Sequence, residues 1–270
     1  MKTNNNVTKK SFKGIEAAGL VIIGCFVVAI CIYHFVFGNP ANFMNNDSNN
    51  HPLPGNLLGT IYKGGIIVPI IQTLLLTVLA LSVERFFTIR AAFGRGKLVK
   101  FVAQIKEALT RGDLDAAQAL CDKQRGSVAN VVGSTLRKYR EMEQATDLTK
   151  DQKILAIQKE LEEATALELP MMQQNLPIIA TITTLGTLMG LLGTVIGMIK
   201  SFAALSAGGG TDSVALSTGI SEALINTAFG ILTGALAVIA YNYYTNKIDK
   251  LTYSLDEVGF SIVQTYASTH

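Results

Sequence analysis

Glu222 and a set of hydroxyl-bearing residues are the side chains of this sequence that could carry an ion through apolar surroundings. Glu222 is the single charged residue in the otherwise apolar run from Ser213 to Asn246. A carboxylate inside a bilayer costs several kcal/mol unless it is paired or hydrated, and such residues mark ion pathways by default. At about 100° per residue, Asn226 and Thr233 share its helix face. We therefore predict a polar face on this helix.

Hydroxyl side chains recur at helical spacing in the preceding apolar run, from 178 to 199. Thr183, Thr187 and Thr194 fall on one helix face there. Hydroxyls can order water and hydrogen-bond a carboxyl group, but they do not titrate. In the alternative, these hydroxyls only bond back to their own backbone. The pathway residues predicted from this pattern are Thr183, Thr187, Thr194, Glu222 and Asn226.

Glycines form a second pattern in the same two runs. Small residues spaced by three or four positions let membrane helices approach closely. The glycines predicted to pack these helices are Gly186, Gly190, Gly193, Gly197, Gly230 and Gly234.

The remaining composition argues against several other classes of protein. The three cysteines and three histidines show no metal-binding or disulfide spacing. No Ser–His–Asp arrangement is suggested, and the net charge of +3 is too small to indicate nucleic-acid binding. We expect no enzyme activity, no cofactor and no metal site.

Four apolar runs must position these residues. The chain is 49% hydrophobic and 16% charged, whereas soluble domains have about 25% charged residues. The runs 19–37, 64–83, 178–199 and 213–246 are each long enough to cross a bilayer, which takes about 20 residues. The first run is longer than a signal-peptide core and no A-x-A site follows it, which favours a retained helix. The predicted fold is an all-α integral membrane protein with four transmembrane helices.

The charge distribution predicts the orientation. Of the 23 lysines and arginines, 21 lie in the head, the middle region and the tail, while Lys63 and Lys200 lie at helix ends. The positive-inside rule then places both termini and the middle region in the cytoplasm. The predicted order is a cytoplasmic N-terminus (1–18), an extra transmembrane helix (19–37), a periplasmic loop (38–60), a transmembrane helix (61–83), a helical cytoplasmic domain (84–177), a transmembrane helix (178–200), a periplasmic loop (201–212), a transmembrane helix (213–244) and a cytoplasmic tail (245–270).

The middle region is predicted to form a series of helices. The first covers residues 97–110, where Leu98, Phe101, Ile105 and Leu109 recur at helical spacing on one face. We expect Asp113 to cap one helix, and Thr149 with Gln152 to form a capping box on another. Pro170 and Pro177 are expected to kink the chain without ending that helix. The last two spans should therefore extend into long cytoplasmic helices, the fourth towards Asp256.

Two motifs resemble a known family. The stretch MGLLGTVIGMIKSF (189–202) resembles the GLLGTVxGMIxxF signature of the MotA/TolQ/ExbB proton-channel family. The stretch GISEALINTAFG (219–230), followed by Tyr241-Asn242, resembles its second motif, GIxEALxxTAxG…YN. The resemblance covers roughly residues 61–260. The extra span at 19–37 departs from the usual three-helix plan, and the Ala-Pro that commonly precedes GLLGTV is replaced by Thr184-Leu-Gly-Thr-Leu-Met189.

The resemblance is closest to the ExbB and TolQ branch and implies a multi-pass protein of the bacterial inner membrane with a role in energy transduction. A pentamer in the lipid bilayer would surround an ExbD/TolR-like single-pass subunit that carries a membrane aspartate, and a TonB-like protein would pass motion to the outer membrane. Thr194 and Thr227 match the family's pore-lining threonines, and Glu222 matches its membrane glutamate. The alternatives are a TolQ-like subunit for envelope maintenance, a flagellar-type stator subunit and a non-conducting membrane scaffold.

Overall fold

A computed structural model describes residues 18–207 and 213–270. Nearly the whole predicted N-terminal segment (1–18) and the part of the predicted loop at 208–212 lie outside these residues. Among the described residues the secondary structure is helical, with one isolated bridge between Phe43 and Pro52. The α-helices are α1 (Ala18–Ile32), α2 (Leu57–Lys63), α3 (Ile67–Phe93), α4 (Leu98–Thr110), α5 (Leu114–Gln124), α6 (Gly126–Gln144), α7 (Lys150–Gln173), α8 (Leu176–Ala207) and α9 (Ser213–Thr269).

The predicted fold class is confirmed. Four helical stretches in the described part are long and apolar enough to cross a membrane, and they include all of α1 and α3 and most of α8 and α9. With 57 residues, α9 runs to Thr269, further than the expected extension to Asp256.

Two predicted helices are interrupted. The predicted span 61–83 is broken at 64–66, where Gly65 adopts a φ of +74°, and α3 begins only at Ile67. The helix expected to pass continuously into the third span ends at Gln173, and α8 begins at Leu176 after Asn175 with a φ of 66°. Pro170 lies inside α7 and Pro177 lies in the first turn of α8, where a proline fits because that N–H has no helical partner.

The described residues form two compact units, which are treated separately. The polar unit comprises Glu84–Gln174 and Tyr244–His270. In it, α4 packs on α5, α5 on α6 and α6 on α7. The face predicted for α4 is buried at Phe101, Ile105 and Leu109. This core matches the helical spacing from which it was predicted.

Both predicted helix caps in the polar unit are confirmed. The Asp113 carboxylate accepts a hydrogen bond from the Ala116 amide at 2.8 Å. Thr149 and Gln152 form a reciprocal capping box at the start of α7.

The apolar unit comprises residues 18–83 and Asn175–Tyr243. The predicted loop 38–60 is largely structured: two short 3-10 helices, Pro40–Asn42 and Met44–Asn46, precede α2. All of the predicted pathway and packing residues lie on α8 and α9 within this unit.

Candidate functional site

The backbones of α8 and α9 lie close together within the apolar unit. A Cβ atom added at Gly190 would lie 3.0 Å from the Asn226 carbonyl oxygen and from the Gly230 Cα. A Cβ added at Gly197 would lie 2.7 Å from the Cβ of Ala223. The contact partners run in opposite sequence order, so the helices are antiparallel. Added Cβ atoms would also come within 3.1 Å of the facing helix at Gly186, Gly193, Gly230 and Gly234.

The threonine hydroxyls on α8 donate to their own helix. Thr183 donates to the Ala180 carbonyl at 2.6 Å, and Thr194 donates to the Leu191 carbonyl at 2.6 Å. Thr187 makes the same type of bond to the carbonyl of Thr184 at 2.8 Å. A hydroxyl has one hydrogen to donate and two lone pairs. These oxygens therefore remain able to accept a hydrogen bond.

Thr227 differs because its hydroxyl crosses to the other helix. Its Oγ1 donates to the Gly190 carbonyl oxygen of α8 at 3.0 Å. This bond depends on Gly190, since the backbones can come this close only without a side chain there. Thr227 therefore fixes the two helices against each other while its oxygen keeps acceptor capacity.

Asn226 is buried and joins α9 to the turn between α2 and α3. Its Nδ2 donates to the Gly64 carbonyl oxygen at 3.0 Å. Its Oδ1 has no hydrogen-bond partner among the described residues. A Cβ at Gly64 would lie 2.6 Å from that oxygen, so a glycine is needed where the turn meets the amide. The sequence analysis predicts Asn226 as a pathway residue. In the structure its amide nitrogen forms a hydrogen bond that links α9 to the end of α2.

Glu222 lines a cavity of about 240 Å³ at the loop end of the α8–α9 pair. Lys63 and Lys200 line the same cavity. Sequence reasoning treated these two lysines only as residues at helix ends. The cavity wall also includes Asn49, Asn50 and His51 from the loop after α1. Nothing in their spacing indicated that they would meet Glu222, because irregular loop structure carries no periodic signal.

The predicted pathway residues therefore lie in separate places along α8 and α9. Glu222 lies in the cavity at one end, whereas Thr183 and Thr187 lie towards the other end of α8, facing Gly234. Thr194 lines a separate, open and largely apolar groove with Val195, Met198, Ile199 and Phe202. Within the described residues, no group of three or more His, Cys, Asp or Glu side chains could hold a metal ion.

The fold and the site together fit a multi-pass helical membrane protein with polar groups between apolar helices. The MotA/TolQ/ExbB proton channel family matches residues 128–257, which include α8 and the part of α9 that bears Glu222 and Thr227. This chain belongs to the MotA/TolQ/ExbB proton channel family.

Several curated relatives support that assignment. A putative biopolymer transport protein ExbB-like 1 of Synechocystis sp. is 30% identical over 192 residues, which cover 68% of this chain and 69% of the relative. The Tol-Pal system protein TolQ of Pseudomonas aeruginosa is 26% identical over 192 residues, covering 67% of this chain and 81% of TolQ. A putative ExbB-like 3 protein of Synechocystis sp. is 37% identical over 86 residues, and there the match spans only 41% of the relative and 31% of this chain.

Proposed function

We propose that this chain is the larger subunit of an inner-membrane motor that couples the proton motive force to transport at the outer membrane. Five copies would surround the single-pass helices of an ExbD/TolR-like subunit, and a TonB-like protein would transmit the motion. Both termini and the polar unit would lie in the cytoplasm. Family membership supports the proton-channel type, and the positive-inside charge distribution supports the orientation.

The observation that carries this proposal is the hydrogen bonding of Thr194 and Thr227. Both hydroxyls donate to backbone carbonyls, so their oxygens can only accept. A protonated aspartic acid offers an O–H donor, whereas an ionised aspartate offers none. Lining hydroxyls of this kind would favour the protonated form of a partner carboxyl as it moves through an apolar passage. The membrane potential supplies about 2.3 kcal/mol per charge for each 100 mV.

The test replaces each hydroxyl by a methyl group of nearly the same size. Thr194→Val and Thr227→Val are expected to abolish proton-driven function in cells and proton flux in proteoliposomes containing the partner subunit. The native mass of the complex should not change. Thr252→Val is the matched control for Thr194→Val, because Thr252, like Thr194, donates to a carbonyl of its own helix, that of Ile248, but lies outside the predicted spans. Normal activity in both test variants would contradict the assignment of these residues.

A TolQ-like role in envelope maintenance is the second candidate, favoured by the match that covers 81% of a TolQ protein. Deletion of the gene distinguishes the two: loss of energised uptake indicates a TonB-type system, whereas leakage of periplasmic proteins indicates a Tol-type system. A partner with a peptidoglycan-binding domain would instead favour a flagellar-type stator. A non-conducting scaffold predicts that Glu222→Gln changes stability and leaves proton coupling intact.

A further inference from the structure

The loop between α1 and α2, residues 38–56, forms part of the wall around Glu222. Asn49, Asn50 and His51 line the Glu222 cavity from this loop. The loop precedes residues 61–260, over which the chain resembles its family. The loop that follows the extra helix thus contributes to the environment of Glu222, the one carboxylate among the predicted pathway residues.

Specific contacts hold this loop in place. Asn42 donates from Nδ2 to the carbonyl oxygens of Val36 and Phe37, at 2.8 and 3.1 Å. Its Oδ1 accepts from Asn56 at 3.1 Å. Asn42 therefore ties both ends of the loop together, and the loop is a defined wall of the cavity.

An aromatic contact attaches the end of the extra span to α2. The rings of Tyr33 and Tyr62 stack with centroids 4.7 Å apart, and the Tyr33 hydroxyl donates to the Tyr62 carbonyl oxygen at 2.9 Å. Tyr62 immediately precedes Lys63, so the extra helix and its loop fix the position from which the Lys63 side chain leaves α2.

The loop also holds the Lys63 ammonium group directly. Its Nζ donates to the Asn49 carbonyl oxygen at 3.1 Å and lies 5.5 Å from the centre of the Phe43 ring. The second ammonium arrives from α8: Nζ of Lys200 would lie 3.9 Å from a Cβ at Gly65. Two cations from different elements therefore share one cavity with Glu222.

The charges of the described lining residues do not cancel. Lys63 and Lys200 are positive, Glu222 is negative, and His51 is the further titratable group that lines the cavity. A carboxylate holds Na⁺ by Coulomb attraction, whereas the two ammonium groups that line the same cavity repel Na⁺. A proton binds the carboxylate oxygen through a covalent O–H bond, so this repulsion weakens proton binding without preventing it. Sodium binding has no covalent contribution, so the same repulsion is expected to prevent it.

We propose that this cavity is a cation filter, in which the Lys63 and Lys200 ammonium groups exclude Na⁺ and K⁺ from Glu222 while protons pass, with the loop 38–56 holding Lys63 in position. The proposal rests on the proposed function, because it assigns the ion selectivity of that pathway. It makes the loop after the extra helix a part of the ion entrance.

The first test measures Na⁺ and H⁺ fluxes separately in proteoliposomes that contain the full chain and its co-purified single-pass subunit. In the double variant Lys63→Gln/Lys200→Gln, the ratio of Na⁺ flux to H⁺ flux is expected to rise about tenfold or more, since the repulsive charges are gone. The charge-retaining double variant Lys63→Arg/Lys200→Arg should keep the native ratio. Lys250→Gln, an exposed lysine of the polar unit, is the control for loss of any lysine. A smaller rise in the Gln variant would overturn the filter.

A second measurement works without any flux. Dicyclohexylcarbodiimide modifies protonated carboxyl groups in membranes, and a bound cation protects them. Saturating NaCl should protect Glu222 in the Lys63→Gln/Lys200→Gln variant and leave it reactive in the native complex. Protection in the native complex would overturn the filter. If proton flux is absent but the expected protection pattern is found, the proposed function is contradicted and the cation filter is still supported. If the double variant does not assemble, the two single variants should each show partial protection, and no protection in either overturns the proposal.

Discussion

Arg85 is buried at the start of the polar unit, where its guanidinium group is both ion-paired and hydrogen-bonded. It is 0% exposed and pairs with the carboxylate of its neighbour Glu84, with Nε 2.5 Å from Oε2. Its Nη1 donates to the carbonyl oxygens of Met171 and Met172, at 3.0 and 3.2 Å. Thr88 donates to the same carboxylate at 3.0 Å. Arg85 therefore satisfies the last carbonyls of α7 and joins them to α3.

Replacing Arg85 by leucine should be strongly destabilising. The change leaves the buried Glu84 carboxylate without its cation and the α7 carbonyls without their donor. Removing one member of a buried ion pair typically costs about 3–5 kcal/mol. The measurement is the free energy of unfolding of the full chain in detergent micelles, obtained by denaturant titration. Arg90→Leu is the control, because Arg90 is an exposed residue of the same helix. Equal losses in both variants would show that the buried pair contributes nothing specific.

The contact between helices α8 and α9 depends on a few glycine positions. A Cβ at Gly230 would lie 2.6 Å from the Gly186 carbonyl oxygen and from the Gly190 Cα. Both neighbours are backbone atoms, so neither can rotate away as a side chain could. Gly24 on α1 is the opposite case, with no atom within 4 Å of an added Cβ.

Gly230→Ala is therefore expected to push α8 and α9 apart. Overpacking of this kind costs typically about 1–3 kcal/mol, and it should also break the bond from Thr227 to Gly190. Gly24→Ala should be neutral or slightly stabilising, because alanine is the better helix former by roughly 1 kcal/mol. Thermal unfolding of both variants in detergent checks the difference. A melting temperature for Gly230→Ala equal to that of the native chain would rule out tight packing at this position.

Periodicity predicted the regular elements well and their interruptions poorly. Helix spacing and cap residues indicated α4 and the starts of α5 and α7, because these signals are local in the sequence. The breaks at 64–66 and 174–175 lie within runs whose hydropathy or charge pattern continues across them. The signals that could have located them were conformational: Gly65 and Asn175 are residue types that tolerate a positive φ.

In the candidate site, too, the residues on regular helices could be predicted from the sequence and those that meet through irregular segments could not. Glu222 and Thr227 stand out because polar side chains are rare in apolar runs, and both lie on α9 as predicted. Lys63 reaches the Glu222 cavity only through the fold of the loop 38–56, which brings Asn49 and Phe43 to its ammonium group. Such a tertiary contact between irregular segments has no sequence period from which to predict it.

The whole molecule exposes apolar side chains on its membrane helices in two different ways. On α1, Ala29 is the only buried residue among the described ones, and large side chains such as Val27 are exposed. On α8, Leu191 and Val195 are exposed on either side of Thr194, whose side chain is half-buried. A purely apolar face suits lipid, whereas a face with hydroxyl acceptors suits a hydrated chamber or a partner helix. In the proposed pentamer, α1 would lie outside and Thr194 would face inwards.

That arrangement predicts which positions water can reach. In a chain with Cys25, Cys31 and Cys121 replaced by serine or alanine, Thr194→Cys in the assembled oligomer should react with a water-soluble maleimide, and Val27→Cys should not.

The measurement is the labelling rate in membranes, with each variant's oligomer compared by native mass with five chains of 28.9 kDa. Val27 serves as the matched position because it is exposed on a single chain yet predicted to meet lipid. Addition of the single-pass subunit should slow labelling at position 194 and leave position 27 unchanged, because the partner helix would occupy the chamber. Faster labelling at position 27 than at 194 would place the hydroxyl face against lipid and overturn the proposed arrangement of the subunits.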